Sequence, residues 1–425
     1  MTAPPATPTG PTDPTGRPSP ADRLSPADGF DFHSPFDRSG TGSSKWARAG
    51  EPGVIPMGLA DMDLPGPPAV ARALARRARH RAYGYTVCDP SGRLLVADWY
   101  RARHGVEVDP DWVLLLPCGP RTALRVLLET VLSETIRPET VRPDAAPPHP
   151  PVLFPTPEWG GFAGVCRAAR VPYRELPLPA GPDGYRLPDG PLPGPAAAVL
   201  LSSPHNPSGR VWPADGLRAL AGRAAEAGAL LVSDEVHGDL THPGHVHPVA
   251  VTTVDPAHRH RVVTLNSVGK TFNCSGIPSA FALVPDPALR ARFGEALAGY
   301  GLWEGGLVEQ TVQHAALREG GPWLDALLAH LAAARTRLTD RLGPAVRSAP
   351  QASYLLWLDA AALGLPPAAA RRALLERCGL EASAGGDFGP GGHGSLRLNY
   401  ALPGSVLDTV LARLGRLDAG PATRP

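Results

Sequence analysis

The chain has 425 residues, which is long enough to bury a substantial core and predicts two domains rather than one. Its net charge is +1 and acidic and basic residues are mixed along it, so no nucleic-acid or acidic-membrane partner is expected. Five scattered cysteines without CxxC spacing argue against a disulfide framework and a zinc site. We find neither a secretory signal nor an apolar run that could span a bilayer, and therefore expect a soluble cytoplasmic protein without a metal.

The first sixty residues divide into a tail and an arm. Residues 1–29 are rich in Pro, Thr, Ser, Ala and Gly with few large apolar side chains, so they are predicted to be disordered. Residues 30–60 contain aromatic and turn-forming residues, such as Phe36 and Trp46, but little periodicity. A segment of this kind usually packs on something else, and we expect it to pack on the smaller domain or on a partner subunit.

Apolar segments alternate with amphipathic helices between residues 54 and 284. The predicted strands cover residues 54–63, 113–116, 152–154, 199–202, 230–233, 262–265 and 280–284, and the predicted helices cover 70–81, 92–104, 122–132, 159–169 and 214–227. The Pro-rich stretch 138–151 is interpreted as a surface insertion. Because most of the strands are apolar throughout, they predict a mostly parallel sheet between helices, a three-layer α/β/α arrangement.

The pattern changes after about residue 301. A long helical stretch at 308–342 is followed by a strand at 354–358, a helix at 367–376 and a strand at 395–400. This order is typical of an α+β domain. We therefore assign residues 61–300 to a large domain and residues 301–425 to a smaller one.

The first candidate ligand-binding feature is the start of the predicted helix after strand 113–116. Gly119, Pro120 and Arg121 stand there, and the backbone N–H groups at a helix N-terminus have no partners within the helix. Together with the helix dipole they favour a bound anion. This position is a candidate phosphate site.

Polar side chains also follow two later strands, at the edge where open α/β sheets bind ligands. Asn206 lies in the turn-rich loop 202–209, and Asp234 ends the next strand. A carboxylate leaving a buried strand needs a partner, and a protonated pyridine nitrogen would suit Asp234. Glu235 could be the structural alternative, and a metal site made by Asp234, Glu235 and His237 is a competing interpretation.

Lys270 is conspicuous because the chain has 41 lysine and arginine residues, of which only Lys45 and Lys270 are lysine. Arginine stays charged near neutral pH, whereas a lysine amine can lose its proton and act as a nucleophile or base. Lys270 follows the apolar strand 262–265 in a turn of small residues. It is therefore a candidate Schiff-base residue, the alternative being a solvated turn lysine.

A Schiff-base lysine, an aspartate for a pyridine nitrogen, an amide for a ring hydroxyl and a helix N-terminus for a phosphate together predict pyridoxal 5'-phosphate. The motifs also resemble those of the MalY/PatB-type cystathionine β-lyases, which are relatives of the class I/II aminotransferases. The resemblance runs from about residue 30 to the C-terminus and rests on Ala60-Asp-Met-Asp63, Tyr83-Gly-Tyr85, Ser203-Pro-His-Asn-Pro-Ser-Gly-Arg-Val-Trp212, Ser233-Asp-Glu-Val-His237, Ser267-Val-Gly-Lys270-Thr-Phe-Asn and Arg397-Leu-Asn. It implies the aspartate-aminotransferase-like fold type I of pyridoxal phosphate enzymes.

The resemblance also implies a role for each matching position. Lys270 would carry the cofactor as a Schiff base, with Asp234 on the pyridine nitrogen, Asn206 and His237 near the ring hydroxyl, Trp159 stacked on the ring, Ser267 and Gly119 to Arg121 on the phosphate, and Arg397 and Asp61 on the substrate. Tyr85 would reach the phosphate from a neighbouring subunit, which implies a homodimer with shared active sites. Gly269 departs from the family, which often has a serine there, and this predicts one missing phosphate contact.

The reaction implied is cleavage of cystathionine or another cysteine S-conjugate into a thiol, pyruvate and ammonia. Lys270 would remove the Cα proton. Three alternatives stay open at this point: an aminotransferase built from the same residues, an oxygen-dependent decarboxylation and deamination of a cysteine conjugate, and a non-catalytic role in binding a regulatory protein.

Overall fold

The computed structural model describes residues 29–47, 53–133, 150–181, 184–302 and 305–418. The predicted disordered tail and most of the Pro-rich insertion lie outside these ranges. The helices are α1 Ser44–Ala47, α2 Pro68–Arg79, α3 Ser91–His104, α4 Pro120–Ser133, α5 Gly161–Ala169, α6 Ala214–Glu226, α7 Ala250–Thr253, α8 Val268–Thr271, α9 Pro287–Gly299, α10 Leu307–Glu319, α11 Gly321–Leu342, α12 Ala370–Cys378 and α13 Gly404–Leu414. None of the helices in the described ranges is long and apolar enough to cross a membrane.

The strands form one large sheet and three small ones. They are β1 Ile55–Pro56, β2 Val113–Leu116, β3 Val152–Thr156, β4 Tyr173–Pro177, β5 Ala180–Gly181, β6 Gly184–Tyr185, β7 Ala198–Ser202, β8 Leu230–Asp234, β9 Val262–Ser267, β10 Ala280–Leu283, β11 Leu355–Asp359, β12 Leu380–Glu381, β13 Ser383–Ala384 and β14 Ser395–Asn399. The large sheet has the order β2-β10-β9-β8-β7-β3-β4. Strands β9, β8, β7, β3 and β4 run parallel to one another, which confirms the mostly parallel sheet.

Two features of this sheet differ from the prediction. Strand β10 runs antiparallel to both β9 and β2, because the chain reverses after Lys270 instead of crossing over through a helix. Strand β4 was not predicted. It is the edge strand, and its sequence Tyr-Arg-Glu-Leu-Pro lacks the apolar run that marks the interior strands.

The sheet is buried on both faces, as a layer between helices must be. Along β2, Val113 and Leu115 belong to one apolar cluster, whereas Leu114 and Leu116 belong to the other. This follows from the period of two in a strand, which sends successive side chains to opposite faces. Helices α4, α5 and α9 pack together on the second face.

The C-terminal part contains a three-stranded antiparallel sheet of order β11-β14-β13, accompanied by long helices. The helix predicted at 308–342 is in fact two helices, α10 and α11, which meet at Gly320. A Cβ atom at Gly320 would lie 2.4 Å from the Ala316 carbonyl oxygen and 2.4 Å from the Phe272 ring, so only glycine fits. Pro322 then lies in the first turn of α11, where its missing N–H has no partner to lose within the helix.

The arm, residues 30–60, contacts the C-terminal helices. The Phe32 ring packs edge-on against Trp323, with centroids 5.8 Å apart, and the Phe32 carbonyl accepts a hydrogen bond from the backbone of Gly404. The strand predicted at 54–63 is only two residues long, since β1 pairs with β12 and the chain then leaves the sheet. Residues 58–62 form an irregular segment, which we call the carbonyl strip because side chains from elsewhere bind its carbonyl oxygens.

Candidate active site

A cavity of about 410 Å³ opens at the carboxyl ends of β7, β8 and β9. It brings together ten of the twelve residues predicted for the site: Gly119, Pro120, Arg121, Trp159, Asn206, Asp234, His237, Ser267, Lys270 and Arg397. The sheet register explains much of this, because Ser202 at the end of β7 pairs with Asp234 at the end of β8. The loops that follow these parallel strands must therefore emerge side by side.

Lys270 lies in the short helical turn after β9 and lines the cavity. Its Nζ donates a hydrogen bond to the Ala60 carbonyl oxygen at 2.5 Å. Burial lowers the pKa of Lys270 to about 8, while Asp61 and Asp234 oppose this change and Arg397 adds to it. A large fraction of the amine is therefore neutral near pH 8, as a nucleophile or base requires.

Asp234 is a buried carboxylate that lacks a cationic contact. Among the described residues its carboxylate accepts a hydrogen bond only from the backbone N–H of Val236, at 3.3 Å. Burial raises the pKa of Asp234 to about 6, despite that hydrogen bond and the nearby charge of Lys270. A protonated ring nitrogen placed against this side chain would supply the missing partner, so the residue fits a pyridinium cofactor.

Glu235 belongs to a different part of the protein interior. Its carboxylate accepts hydrogen bonds from the Ser233 hydroxyl at 2.9 Å and the Ala250 backbone at 2.9 Å, and it lies 3.0 Å from Nε2 of His247. It does not line the cavity. The competing metal site of Asp234, Glu235 and His237 is therefore wrong, and no cluster of three metal-binding side chains occurs within the described part of the chain.

Arg397 on β14 reaches the cavity from the C-terminal part of the chain. It donates hydrogen bonds to the Asn206 side-chain oxygen at 2.9 Å and to the Gly58 carbonyl at 2.6 Å, and its guanidinium stacks on Phe388 with 4.8 Å to the ring centre. Burial lowers the pKa of Arg397 to about 10, so it remains cationic at neutral pH. Its buried Nε has no hydrogen-bond partner among the described residues, which leaves a donor for an anionic ligand.

His237 lines the cavity in a neutral form. Its Nδ1 is 3.1 Å from the Ser353 hydroxyl, and its ring packs edge-on against Tyr354. Burial lowers the pKa of His237 to about 3, and the charges of Lys270 and Arg397 lower it further. The neutral ring can exchange a hydrogen bond with a ligand but adds no charge.

Trp159 stands at the cavity wall just before α5. Gly161 makes room for it, because a Cβ at that position would lie 2.2 Å from the indole ring. The sequence reasoning missed its neighbour Glu158, which is buried and accepts hydrogen bonds from the Trp159 backbone at 2.7 Å and from the backbone and hydroxyl of Ser202. The Ser202 hydroxyl in turn accepts from the Asn206 backbone, so Glu158 links two cavity residues.

The lining of the cavity also includes small and hydroxyl-bearing residues after β9. Ser267 accepts a hydrogen bond from the Gly269 backbone at 3.0 Å and donates one to the Ser279 carbonyl at 2.8 Å. A Cβ at Gly269 would lie 3.2 Å from Cα of Ser275 and 3.5 Å from its hydroxyl. Ser275 also lines the cavity, as do Ile277 and Pro278, and the sequence reasoning missed all three because they follow the Lys270 motif.

Two predicted site residues lie away from the cavity. The Tyr85 side chain is 95% exposed and does not line it. The Asp61 side chain is ion-paired with Arg38 at 2.8 Å and contributes only its charge to the surroundings of Lys270. The Asp61 side chain therefore does not line the cavity in which a substrate would bind.

Residues 52–414 match the family model for aminotransferase class I and II. The chain belongs to this family. It is 32% identical over 398 residues to the cystathionine β-lyase PatB of Bacillus subtilis, covering 90% of this chain and 98% of that protein. It is 29% identical to the protein MalY of Escherichia coli, with coverages of 91% and 98%. These matches confirm the resemblance inferred from the motifs.

The fold is likewise that of known pyridoxal phosphate enzymes. The crystal structure of cystalysin from Treponema denticola, which contains a pyridoxal 5'-phosphate cofactor, superposes with a TM-score of 0.80 at 25% identity. That comparison covers 92% of this chain and 99% of cystalysin. The predicted fold class is thereby confirmed.

Proposed function

We propose that this protein is a pyridoxal phosphate-dependent carbon–sulfur β-lyase, which cleaves cystathionine or another cysteine S-conjugate to a thiol, pyruvate and ammonia. The observation that carries the proposal is the Lys270 amine, with its lowered pKa, in one cavity with the unpaired carboxylate of Asp234. A lysine nucleophile and an acceptor for a cationic ring are what this cofactor requires. PatB is named a cystathionine β-lyase, and similar mycobacterial proteins carry names with the same activity, which supports this reaction.

The cofactor would be held by residues from several strand ends. Asp234 would accept a hydrogen bond from the protonated ring nitrogen. Asn206 and His237 would bind the ring hydroxyl, and Trp159 would cover one face of the ring. The N–H groups at the start of α4, together with Ser267, would bind the phosphate. When bound, pyridoxal phosphate supplies an electron-withdrawing ring that makes the substrate Cα–H acidic.

The chain's own residues would then carry out the proton transfer. The Lys270 amine accepts the Cα proton, because burial holds its pKa near 8 and keeps much of it neutral. Arg397 binds the substrate carboxylate through its unpaired Nε and so fixes Cα beside that amine. Loss of the β-thiolate follows proton removal, since the electron pair released at Cα expels the sulfur, which takes up a proton to give the thiol. Water then hydrolyses the remaining aminoacrylate to pyruvate and ammonia.

We further propose that Ser275 replaces the serine that the family often has at position 269. A side chain at Gly269 would lie within contact distance of Ser275, so the Ser275 hydroxyl occupies neighbouring space. It lines the same cavity as Gly119 and Ser267, and a Cβ at Gly269 would lie 3.1 Å from the Ser267 hydroxyl and 3.5 Å from the Ser275 hydroxyl. The phosphate contact that the sequence predicted to be missing would thus come from a residue after Lys270.

We also propose that the protein acts as a homodimer in which Tyr85 enters the partner's cavity. The segment that contains it presents three large apolar or aromatic side chains to solvent: Tyr83 is 61%, Tyr85 95% and Val87 85% exposed. Such a cluster on one loop is typical of a protein–protein contact. The molar mass in solution, and cofactor binding by Tyr85→Phe, test this arrangement.

The lyase assignment is favoured over aminotransfer by the relatives. Those named aminotransferases or transaminases are 25–27% identical to this chain, whereas PatB is 32% identical. A product assay tests the choice. The purified holoenzyme is supplied in air with cystathionine or a bulky S-substituted cysteine, without a 2-oxo acid, and the products are identified by mass.

We expect pyruvate, ammonia and a free thiol in that assay. Turnover only after addition of a 2-oxo acid would mean an aminotransferase, and a product that has lost CO₂ and consumed oxygen would mean oxidative decarboxylation. A matched control uses Lys270→Arg, which retains positive charge but has no amine to lose a proton. Pyruvate formation by that variant would contradict the proposed mechanism.

A further inference from the structure

The only two lysines of the chain converge on neighbouring carbonyl groups of the carbonyl strip. Lys270 donates to the Ala60 carbonyl at 2.5 Å, and Lys45 donates to the Asp61 carbonyl at 2.9 Å. The two residues are far apart in the sequence, and Lys45 belongs to the arm. The proposed mechanism uses only Lys270 and leaves the second lysine without a role.

Lys45 is held in a buried cluster of charges. Its side chain is 0% exposed, and Nζ lies 2.7 Å from the carboxylate of Asp63, whose side chain is 3% exposed. Arg38 bonds both Asp61 and Asp63, and the indole N–H of Trp46 donates to Asp63 at 2.9 Å. The cations of Arg38 and Lys45 thus neutralise the carboxylates of Asp61 and Asp63. This pairing offsets the cost of removing the charges from water.

This cluster fixes the same backbone that faces the active site. The Gly58 carbonyl accepts a hydrogen bond from Arg397, while the Ala60 carbonyl accepts from Lys270 and from Tyr354 at 3.3 Å. One residue later, Lys45 occupies the Asp61 carbonyl. The Ala60 carbonyl lies in the same planar peptide unit as the N and Cα atoms of Asp61, so a displacement of the Asp61 Cα shifts that carbonyl.

We propose that Lys45 is a positioning residue of the active site: by holding the Asp61 carbonyl and the Asp63 carboxylate, it keeps the Ala60 carbonyl against the Lys270 amine and keeps water away from it. The Ala60 oxygen takes one N–H of the amine, and the lone pair of the neutral amine is then directed elsewhere in the cavity. The catalytic consequence of this inference rests on the proposed function, but the placement of the amine does not.

The charged groups around Lys270 come from each wall of the cavity. Asp61 lies on the carbonyl strip, Asp234 on β8 and Arg397 on β14, while neutral His237 follows β8. Burial outweighs the two carboxylates and lowers the pKa of the amine to about 8. If Lys45 no longer held the strip, water would enter and the pKa would rise toward that of an ordinary lysine.

The unusual lysine content makes this testable by chemical labelling. The full-length protein, freed of cofactor, is treated briefly with acetic anhydride across a pH series, and acetylation of Lys270 is measured by mass spectrometry. We expect a labelling midpoint near the pKa of about 8. Lys45 should stay unlabelled as long as the protein is folded, because its side chain is 0% exposed.

Lys45→Met should raise the Lys270 midpoint by about 1 pH unit. Trp46→Phe keeps a smaller aromatic ring and removes the N–H that binds Asp63, so it should cause a smaller rise. The matched control is Arg413→Met, which removes a cation from the Gly53 carbonyl, upstream of the strip, and should leave the midpoint unchanged. In the holoenzymes, the pH dependence of the visible absorbance should shift in the same order.

An unchanged midpoint in both Lys45→Met and Trp46→Phe would overturn the inference. If Lys45→Met does not fold, as judged by circular dichroism, Trp46→Phe decides the question alone. A midpoint shift in a protein that has no lyase activity would retain the positioning role and reject the proposed function. An active lyase without any shift of the Lys270 midpoint would support the proposed function and reject the positioning role of Lys45.

Discussion

The two walls of the active-site cavity are built in different ways. On the sheet wall, Asp234 ends β8, while Asn206 and Lys270 follow closely after β7 and β9. On the opposite wall, the carbonyl strip is held by side chains from distant parts of the chain. Arg397 reaches Gly58 and Lys270 reaches Ala60, across 339 and 210 residues respectively. The sheet wall supplies chemical groups, whereas the strip wall mainly decides where those groups point.

This difference implies that substitutions on the sheet wall should remove groups that the reaction needs. Substitutions on the strip wall should instead alter substrate binding and the pKa of Lys270. The labelling of Lys270 in Lys45→Met tests the second half of that statement. Four substitutions test the comparison further, from the largest expected effect to the smallest.

Lys270→Arg removes the amine that the reaction needs and should lower kcat for pyruvate formation by roughly 1,000-fold or more. It should also abolish the visible absorbance of covalently held cofactor, because a guanidinium stays protonated and does not react. Steady-state kinetics and absorbance spectra measure the two effects. Thermal unfolding checks that the variant is folded, and substantial residual turnover would remove Lys270 from its proposed role.

Arg397→Lys keeps a positive charge but loses the planar guanidinium that bonds Asn206 and Gly58 at once. We expect KM for the amino-acid substrate to rise by about 30-fold, since the substrate carboxylate loses a directed, charge-assisted hydrogen bond. Cofactor affinity should change much less. Equal losses of cofactor and substrate affinity would show that Arg397 supports the whole cavity and not the substrate alone.

Asp234→Asn should stabilise the cofactor-free protein by roughly 1–2 kcal/mol near neutral pH, because it removes an unpaired buried charge. The folded-state pKa of about 6 lies above the ordinary value of 3.8, so the unfolded chain binds fewer protons between these values and stability falls as pH rises. The difference in unfolding free energy between variant and wild type should therefore grow from about pH 4 to about pH 6. Urea unfolding at several pH values measures it.

With bound cofactor the sign should reverse, because Asp234 then has a cationic partner and the variant does not. A variant that is less stable than the wild type at every pH in the cofactor-free state would contradict the description of Asp234 as unpaired. The comparison of the two states needs no activity measurement, so it separates the binding role of Asp234 from its effect on rate.

Ser275→Ala should weaken cofactor binding by about fivefold, the usual consequence of losing one hydrogen bond of about 1 kcal/mol. Ser279→Ala is the matched control, since the buried Ser279 hydroxyl has no hydrogen-bond partner within the described part of the chain and lies in the same loop region. Equilibrium titration with pyridoxal phosphate measures both. Equal dissociation constants for Ser275→Ala and the wild type would mean that the phosphate is bound without this hydroxyl.

Much of the fold and of the sheet wall could be predicted from the sequence, because the patterns that indicate them lie within short stretches of the chain. Apolar strands alternate with amphipathic helices, and the residues that define the site follow those strands directly in recognisable motifs. Ser275 and Glu158 were missed for the opposite reason. Glu158 lies next to Trp159 and Ser275 follows the Lys270 motif, but only packing shows that Glu158 bonds Ser202 and that Ser275 faces the cavity.

The sequence by itself predicted the family, the parallel sheet, and Lys270, Asp234 and Asn206 as candidate site residues, since these depend on residue type and on neighbours in the chain. The tertiary structure alone decided that β10 runs antiparallel, that Gly320 divides a long helix and that Lys45 is buried against Asp63. Each of these depends on contacts between residues that are remote in sequence. Such contacts form only when the chain is packed, because burial and the pairing of charges are properties of the folded interior.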